Sequence, residues 1–119
     1  MSKITIQNNT IIWPISRGIS ESISIVSSSG WAQYDSILMD IKSVNNLDPQ
    51  PLLSLSISNG LTITDQILFI SLTYQQTSQF VAGNLYADIK LKIGDLVTAK
   101  IPFLISVSNS VTKVAWAIH

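Results

Sequence analysis

Seven carboxylates and one histidine are the general acids, bases and metal ligands to weigh in this 119-residue sequence, which holds no cysteine. A paired-carboxylate hydrolase needs two acids about 5 to 10 Å apart across a cleft. Asp35 and Asp40 are an odd number of positions apart, so on one strand they would face opposite ways, and Asp88 and Asp95 flank a hairpin instead of meeting. The single histidine, His119, is terminal, so neither a histidine triad nor a multi-histidine metal site can be assembled from one chain. The glycines are isolated turn residues, without the spacing of a phosphate-binding loop. Neither a catalytic residue, a metal ligand nor a cofactor site is expected.

Aromatic residues are the next candidates. Trp31 stands just before a core-patterned strand and reads as core or loop-capping packing, while Trp13, beside Pro14, could close one end of the fold. An exposed aromatic shelf is the glycan-binding alternative, since ring faces stack on sugars. Trp116 differs, because it lies beyond the last clear strand, in residues 113–119. An extended segment there would place Val114, Trp116 and Ile118 on one face, a candidate docking segment or added edge strand.

The composition predicts β structure to carry these residues. Hydrophobic residues make up 46% of the chain and charged residues 12%, with isoleucine, serine, leucine and threonine prominent. Such side chains suit pleated, half-buried surfaces, and a chain of this length has room for one domain and one core, 1–119. Seven basic and seven acidic residues cancel and are dispersed, so no basic stripe exists to meet a nucleic acid. The N-terminal residues do not read as a secretion signal and no apolar run is long enough to span a membrane, so neither partner is expected. A cysteine-free chain fits synthesis in a reducing cytoplasm. Zero net charge with positive mean hydropathy points to assembly, because little repulsion opposes association.

Alternation marks strands about every ten residues. Lys3–Gln7, Ile11–Pro14, Glu21–Val26 and Ser36–Val44 fill the first half, the last with Ile37, Met39 and Ile41 inward and Asp40 and Lys42 opposite. Leu53–Ser58 then alternates, and Asn59-Gly60 predicts a tight hairpin into Leu61–Thr64. Ile67–Thr73, Tyr86–Ile93 and Leu96–Val107 follow, with Gly94-Asp95 as a second tight turn and Pro102 as an interruption. Turns at this spacing predict an all-β, immunoglobulin-like two-sheet antiparallel β-sandwich of seven or eight strands. Its open edges carry few charges and are expected to pair with another chain.

The stretch Thr77–Asp88 is the clearest fold signal. Thr77 is expected to N-cap one turn that buries Phe80, Gly83 to end that turn with positive φ, and Tyr86 to open the next strand with its ring packed at the crossover, Asp88 two residues on.

With Arg17-Gly18, Gly30, Asp40-Ile41-Lys42, Asn59-Gly60, Thr77–Asp88, Gly94 and Val111-Thr112, residues 11–112 resemble the small immunoglobulin-like domains of bacteriophage tail, baseplate and fibre-adaptor proteins, including upper baseplate proteins. One departure is Pro102-Phe103 where that family usually carries a glycine, which leaves the closing strand bulged or at an edge. The resemblance implies a noncatalytic virion structural protein, made in the host bacterial cytoplasm. It implies other virion proteins as partners and a homo-oligomer, a trimer above all. Glycan recognition and a head-decoration or collar role are the alternatives.

Overall fold

The computed structural model describes residues 5–7, 9–43 and 51–109. The docking candidates Val114, Trp116 and Ile118, and His119, lie outside the described residues. Each alternating segment forms a strand, nine among the described residues against the seven or eight expected. They are β1 (Thr5–Gln7), β2 (Thr10–Ser16), β3 (Glu21–Val26), β4 (Ser36–Ser43), β5 (Leu53–Ile57), β6 (Gly60–Thr64), β7 (Ile67–Leu72), β8 (Gly83–Ile93) and β9 (Leu96–Ser108). A short helix, α1 (Tyr74–Ser78), joins β7 to β8.

Hydrogen bonding runs in the order β1-β2-β9-β8-β4-β5-β6-β7-β3. The order contains the two sheets of an immunoglobulin-type sandwich: β6-β7-β3 matches strands D, E and B, and β9-β8-β4-β5 matches G, F, C and C′. Two parallel pairings depart from a purely antiparallel pattern. β2 lies parallel to β9, and β5 meets β6 through only Ser56↔Gly60 and Ile57↔Leu61. This last contact joins the sheets, so Asn59-Gly60 is a crossing between them and not the expected two-residue hairpin. Ser58 and Gly60 both adopt positive φ there, and a Cβ on Gly60 would come within 2.6 Å of Leu55 Cδ2.

Inward side chains from both sheets form one cluster. Ile37, Met39 and Ile41 of β4, Leu85, Ala87, Ile89 and Leu91 of β8, and Phe103, Ile105 and Val107 of β9 meet Leu68, Ile70 and Leu72 of β7. Trp13 is fully buried with its ring edge-on to Phe103, centroids 6.4 Å apart. Trp31 is also buried, and its Nε1 donates to the Gln66 carbonyl at 2.9 Å, so both tryptophans pack the fold.

The two prolines within strands, Pro14 and Pro102, sit where a ladder stops. Pro102 pairs with Asp88 of β8 one residue before the β2 ladder begins at Phe103, so β9 is an edge at that point, while its register shift lies elsewhere, at Leu91/Lys92. Pro14 likewise falls beyond the β1 ladder, which ends at Ile12. Each missing N–H is thereby tolerated inside a long strand.

The crossover from β7 to β8 corrects the sequence reading. Thr73, not Thr77, caps α1: its hydroxyl accepts from the Gln76 N–H at 3.1 Å and the Gln76 side chain accepts from the Thr73 N–H at 2.8 Å. This reciprocal capping box leaves Thr77 inside the helix, facing the core and fully buried. Its hydroxyl accepts from the Gly18 N–H at 3.1 Å and reaches the Ile19 carbonyl at 2.9 Å and the Tyr74 carbonyl at 3.2 Å. Phe80 is buried as expected. Gly83 has φ +128° but opens β8 instead of ending the helix, whose C-cap is Gln79.

Tyr86 is the larger correction. It is 54% exposed and points away from the core, because Leu85 and Ala87 hold the inward positions around it. A one-residue offset in a strand exchanges its faces. The tie between the corner and upstream backbone is made by the Thr77 hydroxyl.

Replacing Thr77 by valine keeps the shape and leaves the Gly18 N–H and Ile19 carbonyl without this partner, so a loss of about 1–3 kcal/mol is expected in urea unfolding. Tyr86→Phe should change stability by no more than about 0.5 kcal/mol, as for a surface site. Equal losses in both variants would return the corner to the tyrosine.

Candidate functional site

Since β8 turns Leu85, Ala87, Ile89 and Leu91 inward, its alternate residues Tyr86, Asp88 and Lys90 line the outer face of the larger sheet. Register carries this into rows across the strands. The first row reads Ile12, Leu104, Tyr86, Lys42 from β2 to β4. The second reads Pro102, Asp88, Asp40, Ser54 from β9 to β5. The third reads Lys100, Lys90, Leu38, Ser56. Each row is two residues from the next along every strand, so all their side chains share one face.

The apolar part is a groove of about 390 Å³ lined by Ile12, Tyr86, Pro102 and Leu104, with Thr10 and Asp88 at its sides. Next to it lies a smaller hollow among Asp40, Lys42, Tyr86, Asp88 and Lys90. Over the first two rows the face is therefore divided into an apolar half over β2 and β9 and a charged half over β8 and β4.

Asp40 and Asp88 are direct cross-strand partners, a like-charge arrangement that costs stability unless cations offset it. Asp40 is provided for: Lys90 Nζ stands 3.2 Å from its Oδ2 and the Ser54 hydroxyl donates to its Oδ1 at 2.8 Å. Partial burial pushes the Asp40 carboxyl up, but the bonds from Ser54 and Lys90 and the charges of Lys90 and Lys42 outweigh this and hold it below the ordinary aspartate value. The Asp88 side chain, half-buried, makes no hydrogen bond or ion pair among the described residues.

Among the described residues this is the one place where the register brings two carboxylates together, and the sequence reading missed it because the pairing of β4 with β8 is not written in either strand. The pair lies side by side on one sheet face, not across a cleft, and Asp40 is shifted away from a general acid's range. Asp35 is used elsewhere: its carboxylate accepts from the Gly94 N–H and so fixes the β8–β9 turn. That turn displays Ile93, Leu96 and Val97 to solvent. Among the described residues no group of three or more histidine, aspartate or glutamate side chains is placed to hold a metal ion, and no helix is long and apolar enough to cross a membrane.

No family model and no curated protein matches the chain. Among solved structures, it is similar to the NK cell receptor Nkp44, described as a triggering partner in natural cytotoxicity, at 13% identity and a TM-score of 0.43, over 82% of this chain and 96% of the receptor chain.

The Asp40 arrangement has a pH signature. A carboxyl whose pKa is lower folded than unfolded contributes stability that is complete above the unfolded value and is lost as pH falls through the folded one. Urea unfolding from neutral pH into the acid range should show that loss, and Lys90→Met should reduce it while lowering stability at neutral pH only slightly, as for a partly exposed pair. An identical acid dependence in Lys90→Met would mean that the pair does not hold Asp40 ionised.

Proposed function

We propose that this domain is a noncatalytic assembly module of a bacteriophage virion, working in the tail, baseplate or fibre-attachment region and associating with copies of itself and with other virion proteins. The observation that supports the assembly role is the outer-face groove of Ile12, Tyr86, Pro102 and Leu104, apolar side chains presented together on a sheet face beside ordered charges. An apolar area rimmed by polar groups is the usual form of a protein contact surface. The phage setting rests on the resemblance of residues 11–112 to baseplate and fibre-adaptor domains. Glycan recognition is supported less, because the rings of Trp13 and Trp31 are enclosed and Tyr86 is the aromatic residue left at the groove.

Mass spectrometry of purified virions with immunogold labelling tests the setting directly. The protein should be recovered at a fixed stoichiometry and label one tail structure, and its absence from virions would overturn the proposal. Deletion from Val114 onward should leave a chain that melts cooperatively by circular dichroism yet co-purifies less with its virion partner. Undiminished co-purification would remove the docking role proposed for Val114, Trp116 and Ile118.

A further inference from the structure

We infer that the outer face of the larger sheet binds a second copy of this chain through a two-fold axis that runs across the strands, between the Tyr86 row and the Asp88 row. The inference rests on the assembly reading above and names the partner and geometry of that surface. Charge complementarity selects this axis. A two-fold axis in this direction sets the first row of one copy against the second row of the other. Lys42 then faces the second copy's Asp40, Tyr86 faces its Asp88, and Leu104 faces its Pro102, each contact occurring twice.

Three features of the free chain are accounted for together. The Asp88 carboxylate, which makes no bond of its own among the described residues, receives the Tyr86 hydroxyl of the second copy. Lys42 gains a carboxylate, so the second copy's Asp40 lies between its own Lys90 and the incoming lysine. The groove beside Tyr86 is covered by apolar and proline side chains of the other copy. The third row, with Lys90 and Lys100, comes opposite Asn84 and Ser106, which carry no charge to oppose it.

The other two-fold direction fails on the same criterion. An axis along the strands between β8 and β9 would set Lys90 over the second copy's Lys100 and Lys42 over its Ile12, and would set Asp88 over its Pro102, which has no donor to offer. Packed sheets keep their strands within about 30° of each other, so the rows remain in register near the axis.

Sedimentation velocity on the full chain over a wide concentration range tests the inference. The wild type should show a monomer–dimer equilibrium. Lys42→Glu sets like charges together twice per dimer and should raise the dissociation constant by about tenfold or more, with the circular dichroism spectrum of the folded chain retained. Asp40→Lys should weaken self-association in the same way. Mixing the two variants should restore a dimer, because only the mixed pair opposes unlike charges at both contacts. Should Asp40→Lys fail to fold, Tyr86→Glu, which meets the second copy's Asp88, provides the independent weakening. A monomer at all concentrations, a trimer, or a dimer indifferent to Lys42→Glu and Tyr86→Glu would overturn the inference. A monomeric chain still recovered from virions would overturn this interface alone, whereas a dimer absent from virions would overturn the phage setting alone.

Discussion

The connection between β7 and β8 constrains the rest of the molecule. It must carry the chain from one sheet to the other and still deliver Leu72 and Leu85 to the same core, which leaves no freedom to slip by a residue. A fully buried hydroxyl fixes it: Thr77 ties α1 to the backbone of Gly18 and Ile19, at the turn between β2 and β3. Arg17 secures the same end, donating to the Ser78 carbonyl at 3.1 Å and to Asn109 Oδ1 at 3.2 Å, while its backbone N–H binds the Ser108 carbonyl at 2.9 Å. The β2–β3 turn, the helix and the end of β9 are thus held as one unit.

From that anchor the outer face follows. Once Leu85 is inward, Tyr86, Asp88 and Lys90 must be outward, and the antiparallel registers with β4 and β9 decide their neighbours. A tyrosine beside Leu104, an aspartate opposite an aspartate and a lysine within reach of Asp40 are consequences of the same register. The surface chemistry is a by-product of how the core residues are counted along each strand, and for this reason a shift at the corner would rebuild the face.

At the opposite end, a second set of polar contacts limits motion of the loops. Trp31 and Ser27 both donate to the Gln66 carbonyl, and the Gln66 side chain donates to the Ser28 carbonyl at 2.9 Å. Asp35 holds the β8–β9 turn through Gly94. Loops that spend their polar groups on one another in this way bring apolar tips such as Leu96 into the open without loosening the sheets beneath.

The sequence by itself determined where the strands lie and, for a strand such as β4, which face turns inward, because alternation is a local property: Ile37, Met39 and Ile41 must lie together whatever they pack against. In β8 the same alternation was read one residue out, with Tyr86 inward where Leu85 and Ala87 are buried. It also determined the burial of Phe80 and the turn at Gly94, where glycine takes a positive φ. Only the tertiary structure decided which strands pair. Asn59-Gly60 has the residues of a hairpin, yet Leu61 is drawn into the core opposite β7, and the antiparallel ladder with β7 prevails over local turn preference. The capping box Thr73-x-x-Gln76 was present to be read, but Thr77 also suits a cap, and which of two threonines caps depends on the buried partners waiting for the other. The meeting of Asp40 with Asp88 could not be read at all: they lie on different strands, and cross-strand neighbours are set by register, which the packing of the whole core fixes.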